Sequence, residues 1–149
     1  MAVINLIEED VIKIPLEAKS KPEVIRELVD LLKSAGKIED ADSVFNAVIT
    51  RENMGSTGLE NGIAVPHAKT NKVPSLVLAI GIAPEGVDFD SLDGEPSNLF
   101  FLLLAPPSQS GPHIEALSEI ARLTRSSSFC KVLLNAKSAK EIVEAFARQ

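Results

Sequence analysis

The chain has 149 residues, with 15 Lys and Arg against 21 Asp and Glu for a formal net charge of -6, and 45% of its residues are apolar. That length suits a single domain over residues 1–149 with a sizeable core, built mostly from aliphatic side chains because Trp and Tyr are missing and only six Phe occur. The acidic balance excludes nucleic acid as a partner, since phosphate backbones select clustered Lys and Arg.

A lone cysteine, Cys130, rules out an internal disulfide and points to a reducing compartment. The first ten residues lack a cationic segment followed by a long apolar one, so they do not read as a leader. The longest apolar run, 99–107, falls well short of the roughly 20 residues that span a membrane. These features imply a cytoplasmic protein with no direct membrane insertion.

In chain order, residues 11–16 predict a short strand, and Pro15 places it at a sheet edge. Ser20 and Glu23 form a capping box for a helix carrying Val24, Leu28, Leu31 and Leu32 up to Gly36. A second helix begins near Asp42, carries Val44, Ala47, Val48 and Arg51, and ends at Gly55. Three apolar strands follow at 63–65, 76–83 and 99–104; the last two are nearly continuous hydrophobic runs, a sign of burial on both faces. Residues 84–96 between them are turn-rich, with a short apolar piece at 87–89. The remainder predicts helices over 112–125, around 129–134, and from Ser138, with Glu141 as capping partner. Central strands with helices at both chain ends predict an α/β protein, a three-layer α/β/α sandwich around a mixed sheet.

The window 51–69 is the densest in chemistry. It combines Arg51, the glycines 55, 58 and 62, the hydroxyls of Ser56 and Thr57, and His67 directly after Pro66. Bare backbone, small donors and a fixed cation suit an anion, and histidine is the side chain that changes charge near neutral pH. Pro66 has a fixed φ and biases Val65 to an extended conformation, which pre-sets the strand end from which His67 projects. The plainer alternative for His67 is a polar residue beside a strand. His113 is the other histidine; following Gly111-Pro112, it falls in the first turn of a helix, where unpaired N–H groups and the helix dipole favour anions and lower a histidine's pKa. It reads either as a second imidazole facing a phosphoryl group or as a surface residue. Arg51 offers a planar fork of donors for phosphoryl oxygens, or a solvated charge beside Glu52. Ser56 and Thr57 are hydroxyl donors to the same anion or ordinary turn residues, and the loop lacks the Gly-Lys-[Ser/Thr] ending of a phosphate-binding P-loop. Lys69 reads either as a cation that neutralises charge near the site or as a solvent-exposed residue, with exposure favoured.

Other readings are weaker. Asp88, Asp90 and Asp93 lack the glycine and glutamate of a calcium loop, so Asp93-Gly94 reads as a turn. Cys130, among apolar neighbours, reads as a buried small hydrophobe. Two separated histidines and one remote cysteine do not make a zinc site, and no Gly-x-Ser-x-Gly elbow exists for a serine hydrolase. No cofactor or metal is expected.

Taken together, Ile-Asn-Leu-Ile near the start, Lys-Pro-Glu-Val-Ile, Arg51-Glu52, Gly62-Ile-Ala-Val-Pro-His67, Gly86-Val-Asp-Phe, Leu92-Asp-Gly and His113 resemble the type-2 IIA components of the phosphoenolpyruvate-dependent sugar phosphotransferase system, mannitol/fructose class. The resemblance covers essentially the whole chain. It implies that the histidine at His67 accepts a phosphoryl group from phospho-HPr and passes it to a IIB component, usually onto a cysteine, with His113 and Arg51 assisting. No IIB cysteine motif or IIC span is present, so the acceptor is expected in trans, with association to a membrane IIC complex. The alternative within the same resemblance is a nitrogen-regulatory IIA-like protein, whose phosphorylation state controls protein partners. Under either reading the apolar residues Met54, Leu59, Ile63 and Val65 are expected to surround the site as a dry, weak docking surface.

Overall fold

A computed structural model describes residues 3–149 of the chain; Met1 and Ala2, where the reading of the start begins, lie outside the described residues. Two long strands, β4 (Val77–Val87) and β5 (Ser97–Ala105), form an antiparallel pair at the centre. A two-residue strand β1 (Ile12–Lys13) runs parallel to β4 on one side. On the other side of β5, two short parallel strands follow one another along its length: β2 (Ile63–Ala64) opposite Leu99 and Phe100, then β3 (His67–Lys69) opposite Leu103 to Ala105. The sheet is therefore mixed, with β1 and the β2/β3 line as its two edges.

Side chains on a strand alternate between faces, and here the alternation divides the core in two. Leu78, Ile80 and Ile82 of β4, with Leu99, Phe101 and Leu103 of β5, pack on one face under α3 (Ser110–Thr124), α4 (Ser127–Leu134) and α5 (Ala139–Ala147). Val77, Ala79 and Ala83, with Phe100, Leu102 and Leu104, pack on the opposite face under α1 (Lys21–Ser34) and α2 (Ala41–Glu52). The result is the three-layer α/β/α sandwich. Each fully buried Leu, Ile or Phe contributes about 1.5–3 kcal/mol relative to exposure, so the two aliphatic layers dominate the fold's stability.

Local signals start the helices. Ser20 accepts from the Glu23 amide as expected for an N-cap, while the Glu23 carboxylate accepts from the Ser20 hydroxyl at 2.8 Å and the Lys19 amide at 3.4 Å, a variant of the expected capping box shifted by one residue. Asp40, Ser126 and Ser138 cap α2, α4 and α5 in the same manner. Gly36 ends the turn after α1 with φ 76°, a conformation that suits glycine.

Some boundaries differ from expectation. Of residues 11–16 only Ile12 and Lys13 pair with the sheet, at its edge as expected; Val11 closes a 3-10 turn, and Pro15 has no N–H to continue the ladder. Leu16 rejoins through its amide, donated to the Ile82 carbonyl at 2.8 Å, and its side chain lies over Gly81. Strand β4 runs on to Val87 through a register shift after Ile82. Helix α3 starts at Ser110, two residues before Pro112. Among the described residues, no helix is long and apolar enough to cross a membrane.

Candidate functional site

The strand predicted over 63–65 stops at Ala64, and the chain re-enters the sheet at His67 as β3. Pro66 interrupts the ladder only on its N–H side, because its carbonyl still accepts from the Leu103 amide at 3.0 Å. His67 is registered opposite Leu103, whose side chain lies in the α3 layer, so the imidazole faces α3.

A hairpin holds the segment before it. The Leu59 amide donates to the Ile63 carbonyl at 2.7 Å and the Val65 amide to the Thr57 carbonyl at 3.0 Å. Its turn is Asn61-Gly62, with φ 61° and 78°, the positive pair that a tight hairpin needs. The Asn-Gly dipeptide is a sequence signal for this hairpin that the reading of a plain loop passed over.

His67 Nδ1 lies 2.8 Å from the Val65 carbonyl oxygen. A carbonyl only accepts, so Nδ1 carries the proton of the neutral ring and Nε2 holds the lone pair. His113, in the first turn of α3, brings its ring to 5.7 Å from that of His67 between centroids, inclined at 58°. It is buried at 5% exposure, which overturns the reading of a surface residue. Its Nε2 has no hydrogen-bond partner among the described residues. Burial is the main cause that pushes the His113 pKa below the ordinary histidine value, with smaller contributions from the His67 and Lys69 charges. The direction agrees with expectation, but desolvation leads the causes. Lys69 is exposed two residues along β3, on the same side as His67. A half-buried imidazole with a free Nε2 facing a buried, neutral imidazole with an unpartnered nitrogen is an arrangement for holding a small electrophilic oxyanion between two rings.

The profile described as "Phosphoenolpyruvate-dependent sugar phosphotransferase system, EIIA 2" matches residues 5–149. The chain belongs to this family. It is 39% identical over 144 residues to the fructose-specific EIIABC component of the phosphotransferase system of Bacillus subtilis, covering 97% of this chain and 23% of that protein. The chain thus spans under a quarter of that relative's length. It is 34% identical over 128 residues to the fructose-specific EIIA component of Haloferax volcanii, covering 86% of this chain and 83% of the other. Among solved structures, the nitrogen regulatory protein IIA-Ntr from Neisseria meningitidis superposes with a TM-score of 0.89 at 31% identity, covering 96% of this chain and 97% of that one.

In this EIIA chain, Arg51 sits in the last turn of α2, where a cation suits the helix dipole, and its Nη1 donates to the Gly55 carbonyl at 2.8 Å. It makes no other hydrogen bond among the described residues. The two hydroxyls are engaged inside the loop. Ser56 Oγ donates to the Phe89 carbonyl at 2.8 Å and accepts from the Gly58 amide at 3.0 Å. Thr57 Oγ1 donates to the Glu52 carboxylate, which also accepts from the Thr57 amide at 3.1 Å. The structure therefore brings His67 and His113 together, and sets Arg51 at the end of α2 bonded to Gly55, with Ser56 and Thr57 in the loop that follows and their hydroxyls spent on Phe89 and Glu52.

Glu52 is the residue that sequence reasoning passed over. Its carboxylate is buried at 5% exposure, and Lys21 Nζ of α1 reaches it at 2.7 Å. A continuous chain of contacts runs from Lys21 through Glu52 to Thr57, across the hairpin to Val65, and on to His67. The signal available in sequence was a carboxylate in the last turn of a helix, where the dipole disfavours it. The expected apolar docking surface needs correction too. Ile63 and Val65 are buried, at 5% and 7% exposure, and belong to the core, while Met54 (78%), just past Arg51 in the chain, and Ile114 (63%), directly after His113, are protruding apolar side chains.

Proposed function

We propose that residues 1–149 act as a single EIIA phosphocarrier domain: His67 accepts a phosphoryl group from phospho-HPr and passes it in trans to a IIB component for uptake of a fructose/mannitol-class sugar. The observation that carries this reading is the His67 Nδ1–H bond to the Val65 carbonyl, which leaves Nε2 free on a ring whose centroid lies 5.7 Å from that of His113, itself with an unpartnered nitrogen.

In the accepting step the lone pair of His67 Nε2 attacks phosphorus. The P–N bond to the carrier's histidine breaks, and its electron pair returns to that nitrogen. The proton on Nδ1 stays in place, so the positive charge that develops on the His67 ring is shared with the Val65 carbonyl. Neutral His113 presents an N–H to a phosphoryl oxygen. Arg51, held by Gly55, offers its remaining N–H groups to the others. Ser56 and Thr57 support phosphate binding by fixing the loop whose Gly55 carbonyl holds Arg51. The onward step repeats this in reverse toward a IIB cysteine already ionised to its thiolate: sulfur attacks phosphorus, the P–S bond forms, and the electron pair of the broken P–Nε2 bond returns to the neutral His67 ring. In-line transfer between two side chains asks for positioning and charge stabilisation, and no metal or cofactor enters it. Of the residues expected to form the dry rim, Leu59 and Ile63 line a groove apart from the two histidines; exposed Met54 and Ile114 form the rim on which the donor and acceptor proteins alternate, in the cytoplasm and next to the membrane IIC complex.

The test is intact mass after incubation with phosphoenolpyruvate, enzyme I and HPr, for the native chain and for His67→Ala. One acid-labile phosphoryl group gained by the first and absent from the second is the expected result; labelling of both sinks the assignment. The likeness to IIA-Ntr favours a second reading, in which the phosphorylated chain regulates protein partners. Transfer from the phosphorylated chain to a IIB cysteine separates the two, because the regulatory reading predicts none.

A further inference from the structure

Residues 121–140 contain Arg122, Arg125, Lys131, Lys137 and Lys140 and no Asp or Glu, although the chain as a whole carries -6. None of these five cations has an ion-pair partner among the described residues. Two of them, Arg125 and Lys131, stand at a groove of about 640 Å³ between the 59–63 hairpin and the junction of α3 and α4. That volume lies in the range of small-molecule sites, roughly 300–1,000 Å³. The groove is separate from the two histidines. His113 opens α3 and Thr124 closes it, so the groove begins about 16 Å farther along that helix.

Its walls have one chemical character and its rim another. Helix α4 turns Ser127, Cys130, Lys131 and Leu134 toward it, a spacing that lies along one helical face. Cys130 and Ile63 are buried, while Leu59, Leu92 and Leu134 line the groove at 36%, 73% and 39% exposure. An apolar trough with this much exposed Leu is uncommon on a surface with no occupant. Glu60 is the one carboxylate on the lip, against two cations.

We propose that this groove is a binding site for a small amphiphilic acid, with an apolar body on the leucines and an anionic head between Arg125 and Lys131. The concave shape fits a compact ligand, and the unpaired cations fix the sign of its head. Neither the groove nor its ligand takes part in phosphoryl transfer, so this inference stands or fails independently of the proposed function.

The probe is laurate, kept below its micelle concentration and titrated into methyl-labelled protein by NMR. Saturable shifts are expected at the Leu59, Ile63, Leu92 and Leu134 methyls. Dodecyltrimethylammonium, with the same tail and the opposite head, is expected to bind about tenfold more weakly or worse, as is laurate to R125E/K131E. R125Q/K131Q serves as a milder second variant; both positions are exposed, and both variants are expected to retain phosphorylation at His67. Three results overturn the proposal: no saturable shift at those methyls, equal binding of the cationic surfactant, or equal laurate binding by the charge variants. A concentration-dependent dimer that moves the same methyls without laurate also overturns it, since a second copy would then be the occupant.

Discussion

Glu52→Ala removes a carboxylate that serves three donors at once: Lys21 Nζ at 2.7 Å, the Thr57 amide at 3.1 Å and the Thr57 hydroxyl. The Glu52 side chain is 2% exposed and that of Lys21 17%, so the pair is screened little by water. Breaking a buried pair by deleting one partner costs about 3–5 kcal/mol. Lys21 keeps Asp90 at 3.3 Å and some solvent, which places its share at the lower end. The orphaned Thr57 amide adds about 1–3 kcal/mol. The expected loss is about 4 kcal/mol, a large part of the 5–15 kcal/mol typical of a domain, and roughly 8–16 °C in Tm at this chain length. Urea denaturation followed by circular dichroism reads it directly, with m unchanged if the denatured state is unaltered. Glu52→Gln keeps an acceptor for the Thr57 amide and is expected to lose less, about 1–2 kcal/mol. A loss under about 1 kcal/mol for the alanine variant, at constant m, refutes the reasoning: the carboxylate would then be no anchor. A double-mutant cycle with Lys21→Met isolates the coupling of the pair, expected between about 0.5 and 3 kcal/mol.

His113 binds protons less readily folded than unfolded, so its contribution to stability is fully present above about pH 6.5 and lost as pH falls through the lowered folded value. Denaturation midpoints between pH 7.5 and 5 are expected to decline, and His113→Gln to flatten that decline; equal slopes would contradict it. A Cβ at Gly81 would lie 2.8 Å from Leu16 Cδ1, so Gly81→Ala is expected to cost about 1–3 kcal/mol by overpacking. Adding Leu16→Ala should relieve part of that, and strictly additive losses in urea melts would deny the clash. Arg51→Ala forfeits the bond to the Gly55 carbonyl, about 1 kcal/mol of stability. If Arg51 also stabilises the transferring group, phosphorylation of His67 in rapid-quench experiments slows about 100-fold, with Arg51→Lys in between because a point charge replaces a fork.

What was legible in the sequence was local or strongly patterned. The boxes at Ser20/Glu23 and Ser138/Glu141 act within one turn, and the continuous apolar runs of β4 and β5 admit little but central strands. His67 and His113 stood out because so few histidines occur and each follows a proline. Strand β3 was not legible: His67-Ala68-Lys69 has no apolar run, and only its parallel register with Leu103 to Ala105 makes it a strand. Glu52 was hidden for a related reason, since its partner Lys21 lies on another helix and burial of a carboxylate depends on that pairing. The hydroxyls of Ser56 and Thr57 looked available for an anion because their acceptors, Phe89 O and Glu52, become neighbours only after the hairpin and the 88–91 segment close together.

The two imidazoles are mounted on different halves of the molecule. His67 is tied through the hairpin and Glu52 to the α1–α2 layer, whereas His113 rides on α3 in the opposite layer. The 5.7 Å between the rings therefore gauges one interface, the seating of α3 on the sheet face that His67 shares with Leu103. Close-packed interiors transmit changes of a single methylene. Volume changes at Leu103, on the face of β5 that packs under α3, will thus reset the gauge between the rings without altering either one, and the pair works as a built-in caliper of how well α3 is packed on the sheet.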